Sequence, residues 1–238
     1  MTNEKELLVL DFDHTIINEN SDVFVIRLAP EGRLPPRIKE LYKPDGWTLY
    51  MKTVFLYLYQ NNIRPADFFG CLDKISLVTG MKELLTNLHA TKRFEIIVIS
   101  DSNTVFINYI LKNAELDFVV DEVFTNPAYF DSEGCLHLKE YHLQDWCDKS
   151  SKNLCKGSIL QSYVAKRKQE DISFSRISYV GDGQNDFCPL LCLSRNDCAF
   201  PRIGYSLWKK LKEEKIVSSV HPWETGFDIL NVLCPATS

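Results

Sequence analysis

Three short apolar runs in this 238-residue chain each end in a polar cluster that contains aspartate. The runs cover residues 7–10, 94–99 and 177–180, and the clusters are Asp11-Phe-Asp13, Ser100-Asp-Ser-Asn103 and Gly181-Asp-Gly183. A continuous apolar run of this length is typical of a strand that is buried on both faces of a parallel sheet. Ligands of such sheets bind at the carboxyl ends of the strands. The three clusters therefore predict a single site.

Helical segments separate these runs, and two weaker strand patterns complete the alternation. The helical patterns cover residues 80–90, 104–113, 156–168 and 205–215, and the weaker strands are expected at 118–124 and 198–200. Strands that alternate with helices predict an α/β fold with a parallel sheet covered by helices. A hairpin is expected at residues 129–141, where Asp131-Ser-Glu-Gly134 lies between alternating residues.

Residues 21–77 do not follow the alternation. They are rich in helix formers and aromatic side chains, without a strand–helix repeat. We interpret them as a helical insertion placed directly after the first strand. Residues 1–20 and 78–238 would then form the core.

The whole-chain properties exclude several classes of partner. The formal net charge of -5 argues against nucleic acid or an anionic membrane surface, since both require a basic footprint. No stretch approaches the ~18 apolar residues of a membrane span. We therefore expect a soluble cytoplasmic protein with reduced cysteines, whose partner is a small molecule. The sequence does not predict the oligomeric state.

Asp11 and Asp13 are separated by one residue, so both side chains would point the same way on a regular strand. Two such carboxylates repel each other unless a cation or a shared proton relieves them. Mg²⁺ prefers oxygen ligands and commonly pairs with one or two carboxylates and a substrate phosphate. Asp182 or Asp186 would add a carboxylate from a neighbouring strand end. A calcium loop is the alternative, but residues 11–22 do not supply its ligand series and closing glutamate.

Other residues near the strand ends suit a phosphate site. Gly181 and Gly183 flank Asp182 and allow a tight turn with close backbone approach. Ser100 and Asn103, at a predicted helix start, are candidate donors to phosphate oxygens. Lys156 opens a helix and is a candidate counter-charge.

Taken together, the motifs resemble the haloacid dehalogenase (HAD) superfamily. Within it, the chain is similar to the phosphoethanolamine/phosphocholine and pyridoxal-phosphate phosphatase family, over nearly its whole length. The stretches that carry the resemblance are Asp11-Phe-Asp-His-Thr-Ile-Ile, Glu19-Asn-Ser-Asp22, Ile99-Ser-Asp-Ser-Asn103, Phe124-Thr-Asn-Pro127, Lys152-Asn-Leu-Cys-Lys156, Tyr179-Val-Gly-Asp-Gly-Gln-Asn-Asp-Phe-Cys-Pro189 and Phe200-Pro-Arg202. The resemblance implies a Rossmann-like core and an all-helical cap of the C1 type at residues 21–77.

The resemblance also implies a role for each candidate residue. Asp11 would be the nucleophile that forms an aspartyl phosphate, and Asp13 the general acid and base. Mg²⁺ would be held by Asp11, Asp182 and the backbone carbonyl of Asp13. Phosphate would be bound by Ser100, Asn103 and Lys156. Asp186 would orient its neighbours, and Asp22 and Asp101 would bind the substrate.

The implied enzyme is a phosphoric monoester hydrolase, and its substrate stays open. Pyridoxal phosphate and phosphoethanolamine or phosphocholine are the first candidates, and a thiamine-type phosphate or pyrophosphate is the alternative. A cationic leaving group would suit Asp22, although Asp22 is also a natural cap for a helix. A non-catalytic scaffold is a further alternative, but it would predict loss of Asp11, Asp13 or Asp182, and all three are present.

The chain departs from its relatives in residues 142–155. They typically carry a Cys-x-x-Cys-Pro run, whereas this chain has Cys147-Asp-Lys-Ser150-Ser151. The spacing of His137, His142, Cys147 and Cys155 matches no standard zinc pattern. The role of this loop, and of Cys147 and Cys155, stays open from sequence.

Overall fold

The computed structural model describes residues 3–43 and 46–235, and its centre is a six-stranded parallel sheet. The strands of the sheet lie in the order β3-β2-β1-β6-β7-β8. Without the hairpin strands β4 and β5, this is the chain order 3-2-1-4-5-6 of Rossmann folds. The strand bounds are β1 Asn3–Leu10, β2 Phe94–Asn103, β3 Glu122–Asn126, β4 Ala128–Phe130, β5 Leu136–Leu138, β6 Ile172–Gly181, β7 Cys198–Pro201 and β8 Ser219–Val220. The predicted α/β class is confirmed.

Helices cover both faces of the sheet. Alternate residues of β1 enter different buried clusters, with Leu8 and Leu10 on one face and Leu7 and Val9 on the other. A strand buried on both faces reads as a continuous apolar run for this reason. The helices are α1 Ser21–Phe24, α2 Pro36–Lys39, α3 Trp47–Gln60, α4 Pro65–Leu72, α5 Met81–Ala90, α6 Thr104–Asn113, α7 Lys156–Gln169, α8 Phe187–Leu190, α9 Ser206–Glu213 and α10 Gly226–Leu233. In the parts of the chain that the structure describes, every helix is too short or too polar to cross a membrane.

The segment after β1 leaves and rejoins the rest of the chain at one place. Val78 N–H donates to Ile16 O and Asn18 N–H donates to Ser76 O, each at 3.0 Å. Between these points the described residues contain helices α1–α4 and two short 3₁₀ turns. The ring of Phe55 in α3 packs against Phe106 in α6, with centroids 5.8 Å apart. The inserted helices therefore share a hydrophobic cluster with the rest of the protein.

Three local expectations differ from the structure. The strand expected at 118–124 begins only at Glu122, because the chain first turns after α6, and Phe118 is 65% exposed. Strand β2 continues past residue 99 to Asn103, with a bulge against β3 between Ser100 and Asn103. The short elements β8, α8 and α10 have no counterpart in the sequence-based prediction.

Candidate active site

The loops that follow β1, β2 and β6 surround a cavity of about 310 Å³ at the carboxyl edge of the sheet. Asp11 and Asp13 follow β1, Ser100 and Asp101 lie at the end of β2, and Asp182 follows β6. The three aspartate clusters thus meet, as the sequence predicts. The full lining consists of Asp11, Asp13, His14, Asn20, Tyr42, Trp47, Ser100, Asp101, Ser102, Ser151, Asn153, Asp182, Gly183 and Asn185.

Asp11 lies beside a buried lysine. Its Oδ1 is 2.9 Å from Lys156 Nζ and accepts a hydrogen bond of 2.7 Å from Phe12 N–H. Lys156 is the first residue of α7 and is 1% exposed. Burial lowers the pKa of Lys156, but the charges of Asp11, Asp186 and Asp101 outweigh it, so the pKa lies above its ordinary value. The ammonium group therefore stays charged and orients the Asp11 carboxylate.

Asp186 organises the loop after β6. Its Oδ1 accepts hydrogen bonds from Lys156 Nζ and Tyr179 OH, both at 2.7 Å. Its Oδ2 accepts from the N–H groups of Asp182 at 3.1 Å and Gly183 at 2.9 Å. With four donors, this fully buried carboxylate orients its neighbours.

Gly181 allows this loop to close. A Cβ at this position would lie 2.5 Å from Asp186 Cγ, well inside any real contact distance. The close approach expected from the glycines is present here.

The carboxylates at the cavity form an oxygen-rich group. Ligand oxygens of Asp11, Asp182 and Asp186 all lie within 4.8 Å of one another. Burial, followed by the charges of Asp11 and Asp186, raises the pKa of Asp182 to about 8. Burial and the charge of Asp186 raise the pKa of Asp11 to about 7, although Lys156 opposes them. The raised pKa values indicate that Lys156 alone does not offset burial and the mutual repulsion of these carboxylates, and a hard divalent cation with oxygen ligands fits this donor set.

Asp13 lines the cavity and contacts the first inserted helix. Its Oδ1 accepts a hydrogen bond of 3.0 Å from Ser21 N–H at the start of α1. Burial and the charge of Asp22 raise the pKa of Asp13 well above its ordinary value. The contact with α1 ties this side chain to the inserted helices.

The bulge in β2 places Ser100 and Asp101 at the cavity. Ser100 Oγ accepts a hydrogen bond of 3.3 Å from Ser102 N–H. Asp101 Oδ2 accepts from Asn185 Nδ2 at 2.7 Å and from Ser151 Oγ at 3.4 Å. Asp101 Oδ1 is buried and has no hydrogen-bond partner among the described residues. Asp101 itself is among the residues that line the cavity.

Known proteins with similar sequences are phosphatases. The family model described as "Putative Phosphatase" matches residues 6–237. The chain is 41% identical over 235 residues to the pyridoxal phosphate phosphatase of Mus musculus, covering 96% of this chain and 97% of that protein. It is 37% identical over 230 residues to the phosphoethanolamine/phosphocholine phosphatase of Homo sapiens, covering 94% of this chain and 86% of that protein. The chain belongs to this phosphatase family.

The fold is similar to that of a phosphatase of known structure. A crystal structure of phosphoserine phosphatase in its apo form matches with a TM-score of 0.63, covering 95% of this chain and 98% of that one. At 18% identity this match shows the shared fold alone. The chain is thus a phosphatase, a phosphoric monoester hydrolase, by its family.

Asp22 and Asn103 of this phosphatase contact each other behind the cavity wall. Asn103 Nδ2 donates to Asp22 Oδ1 at 3.2 Å, and Asn103 Oδ1 accepts from Phe106 N–H as the cap of α6. Asp22 Oδ2 accepts a hydrogen bond of 3.0 Å from Trp47 Nε1. The structure does not bring these two side chains, or Lys156, into the lining. Burial raises the pKa of Asp22 to about 6.

Several lining residues of this phosphatase have no assigned role in the sequence-based prediction. They fall into two groups, the inserted segment and the loops around it: Asn20, Tyr42, Trp47, Ser102, Ser151, Asn153 and Asn185. Asn185 lies next to Asp186, and Asn20, Ser102 and Asn153 lie in other stretches that carry the resemblance, so these positions were the available signal. Tyr42, Trp47 and Ser151 lie outside those stretches, and no local pattern marks them.

Proposed function

We propose that this phosphatase hydrolyses a small phosphate monoester through an aspartyl phosphate on Asp11. The position of Asp11 supports this proposal, because its carboxylate lies at the cavity and is held by the buried ammonium of Lys156 at 2.9 Å. Asp11, Asp182 and the backbone carbonyl of Asp13 would hold Mg²⁺. When bound, Mg²⁺ supplies positive charge that offsets the negative charge of the transferring phosphoryl group.

The proposed reaction has two chemical steps, and Asp11 and Asp13 supply the nucleophile and the proton transfers that both steps need. In the first, a carboxylate oxygen of Asp11 bonds to phosphorus, the ester P–O bond breaks, and the leaving oxygen takes the proton of Asp13. In the second, Asp13 takes a proton from water, whose oxygen bonds to phosphorus while the bond to Asp11 breaks. Inorganic phosphate leaves and both carboxylates return to their starting forms. Ser100 would donate a hydrogen bond to a phosphoryl oxygen, and Lys156, whose ammonium contacts Asp11, would supply positive charge next to the phosphoryl group.

Asp13 also links the chemistry to the inserted helices. Its Oδ1 is bound by Ser21 N–H of α1, and Tyr42 and Trp47 of the same segment line the cavity. We propose that residues 21–77 act as a cap that covers the leaving group. Exclusion of bulk water by such a cap strengthens the electrostatic contacts inside the site.

We propose pyridoxal phosphate as the substrate. The aromatic side chains of Tyr42 and Trp47 line the cavity, and their ring centroids lie 6.1 Å apart. A flat pyridine ring would pack against such side chains. The pyridoxal phosphate phosphatase relatives, at 40–41% identity over 97% of their length, support the same substrate.

Phosphoethanolamine or phosphocholine is the second candidate, because of Asp101. Its buried Oδ1 without a hydrogen-bond partner is suited to a cationic amine. Tyr42 and Trp47 would also accept a quaternary ammonium through cation–π contacts.

The mechanism is tested with a generic substrate. Wild-type protein should hydrolyse p-nitrophenyl phosphate with Mg²⁺, and Asp11→Asn should lose nearly all of this turnover. Asp148→Asn, at a side chain that is 86% exposed, is the matched control and should keep it. Full activity in Asp11→Asn, or turnover of the wild type that does not depend on Mg²⁺, would rule the mechanism out.

The substrate is tested by measuring kcat/KM for pyridoxal phosphate, phosphoethanolamine, phosphocholine and thiamine monophosphate. We expect the highest value for pyridoxal phosphate. Trp47→Leu should lower kcat/KM most for the aromatic substrate, and Asp101→Asn most for the cationic amines. Equal losses for all substrates in both variants would contradict these contacts.

A further inference from the structure

Three thiol groups converge near the start of α7, outside the lining of the cavity. Cys188 Sγ, in α8, lies 3.5 Å from Cys147 Sγ and 3.8 Å from Cys155 Sγ. All three sulfur atoms lie within 4.8 Å of one another. Cys155 and Cys188 are 2% and 8% exposed, and Cys147 is half-buried. The cluster joins two separate parts of the chain, namely the loop 142–155, which carries Cys147 and ends at Cys155 before α7, and helix α8.

The sulfur separations match those of a tetrahedral zinc site. Thiolate sulfur binds Zn²⁺ at about 2.3 Å, so two thiolates of one tetrahedron lie roughly 3.8 Å apart. The separations of 3.5 and 3.8 Å are close to that value. A disulfide requires about 2.0 Å between its sulfurs, so none of the described pairs is bonded.

Ser150 occupies the position of a fourth ligand. Cys147 Sγ and Ser150 Oγ are 3.5 Å apart, and two residues separate them in sequence. This is the spacing of paired ligands in zinc knuckles. A deprotonated or neutral hydroxyl oxygen completes the coordination more weakly than a thiolate would.

Gln144 shapes the turn that carries Cys147 and Ser150. The buried Gln144 side chain donates from Nε2 to the carbonyl oxygens of Cys147, Ser150 and Ser151 at 3.0–3.2 Å, and its Oε1 accepts from Cys147 N–H at 2.9 Å. One side chain thus fixes the backbone on both sides of the pair. The turn is ordered before any ligand binds, which lowers the entropic cost of binding.

We propose that Cys147, Cys155, Cys188 and the hydroxyl of Ser150 bind one structural Zn²⁺. Each coordinating thiol releases its proton to solvent, and no oxidant or reductant is involved. Thiolates favour Zn²⁺ over Mg²⁺, so this site and the carboxylate site select different ions. His142 is not a ligand through Nε2, because that atom accepts a hydrogen bond of 2.8 Å from Cys155 N–H. The sequence singles out His137, His142, Cys147 and Cys155, whose spacing matches no standard zinc pattern. The proposed ligand set keeps the two cysteines and has Cys188 and Ser150 in place of the two histidines.

The metal would hold the loop 142–155 against α8 and the start of α7. This loop supplies Ser151 and Asn153 to the cavity lining, and Cys155 directly precedes Lys156. The zinc would therefore stabilise one wall of the cavity from outside. The site itself does not depend on which reaction the cavity catalyses.

The first test is the zinc content of the purified wild-type protein and matched variants, measured by plasma mass spectrometry after reconstitution with Zn²⁺ under reducing conditions. We expect about one Zn²⁺ per chain in the wild type, and loss of most of it in Cys155→Ser and Cys188→Ser. Cys234→Ser, at a half-buried thiol outside the cluster, should keep it. Asp182→Asn should also keep it, which separates this site from the carboxylate site. Wild-type protein without zinc, or a Cys188→Ser variant with full content, would overturn the proposal.

The second test requires no loss of a cysteine. Ser150→Cys supplies a fourth thiolate and should retain Zn²⁺ against a competing chelator with an affinity at least roughly tenfold higher than that of the wild type. Co²⁺ bound to the wild type should show thiolate-to-metal charge-transfer absorption. The proposal is wrong if Ser150→Cys gains no affinity and Co²⁺ shows no such absorption. A disulfide among these cysteines that persists in protein kept under reducing conditions would equally contradict it.

Discussion

The buried ammonium group of Lys156 contacts two carboxylates, and these contacts stabilise the fold as well as the proposed active site. Its Nζ lies 2.9 Å from Asp11 Oδ1 and 2.7 Å from Asp186 Oδ1. A charge taken out of water is costly unless it is paired and hydrogen-bonded. Removal of the ammonium would leave two buried carboxylates facing each other. The same contact that orients Asp11, the proposed nucleophile, is therefore needed for stability.

We predict that Lys156→Met lowers kcat/KM by about 10²–10³, the usual cost of losing one fixed donor to developing charge. Breaking the buried pairs should also lower the free energy of unfolding by about 3–5 kcal/mol. Steady-state kinetics and urea unfolding measure the two effects. Lys166→Met is the matched control, because Lys166 lies on the same helix with a side chain that is 55% exposed, and it should change neither quantity much. Near-normal turnover in Lys156→Met would contradict the assigned role.

We predict that Gly181→Ala destabilises the protein by about 1–3 kcal/mol and lowers activity. The added Cβ would lie 2.5 Å from Asp186, which cannot move without breaking its four hydrogen bonds. The control is Gly70→Ala in α4, where the new Cβ meets nothing within 4 Å. Alanine is the better helix former, so that variant should be as stable as the wild type or more stable. Equal melting temperatures for Gly181→Ala and the wild type would show that the loop has room to adjust.

At the scale of secondary-structure elements, the carboxyl end of β2 shows how far the sequence predicts the site. The apolar run identifies the strand up to residue 99, because burial on both faces leaves a continuous pattern. The pairing then continues to Asn103 across a bulge that exposes Asp101 and Ser102 to the cavity. A bulge depends on the register with β3, which a single segment of sequence does not encode. The candidate residues could be predicted there, but not their arrangement.

Helix α7 is attached to the sheet by a buried ion pair. Arg167 donates from Nε and from one terminal nitrogen to the two oxygens of Glu95 on β2, both at 2.8 Å, and Tyr163 OH donates to the same carboxylate. Burial raises the pKa of Glu95, but the hydrogen bonds from Arg167 and Tyr163 and the nearby positive charges outweigh it and lower the pKa. This helix begins at Lys156, so the attachment also positions the active-site ammonium.

We predict that Glu95→Gln destabilises the protein by about 1.5–3 kcal/mol at neutral pH. A lowered pKa means that the stabilisation is present above the unfolded pKa of about 4.5 and is lost as the pH falls through the folded pKa. The difference between wild type and variant should therefore shrink below pH 4.5. Urea unfolding at several pH values measures it. Glu122→Gln removes an exposed pair with Lys166 and should cost less than about 1 kcal/mol at every pH.

On the scale of the whole molecule, the sequence predicts the parallel sheet and the place of the helical insertion but not how the two parts pack. Local periodicity records which face of a helix is apolar, and it carries no information about the partner. Phe55 of the insertion contacts Phe106 of α6, which is about 50 residues away along the chain. Tyr42 and Trp47 reach the cavity through the same packing. The motif residues could be found because each lies beside its own strand, whereas the contacts of the inserted helices depend on distant pairings.

We predict that the insertion and the sheet unfold together in one transition. One buried cluster runs through α3, α4, α6 and β2, so neither part keeps a complete core without the other. Phe55→Ala should therefore lower the free energy of unfolding of the whole protein by about 3–5 kcal/mol, and Leu49→Ala, on an exposed position of the same helix, by less than about 0.5 kcal/mol. Circular dichroism follows the helices overall, and tryptophan fluorescence follows all four tryptophans, of which Trp47 lies in the insertion and Trp146, Trp208 and Trp223 lie after it. Coincident curves in urea, shifted equally by Phe55→Ala, are the expected result. Two separated transitions, with only the first shifted, would mean that residues 21–77 unfold as an independent unit.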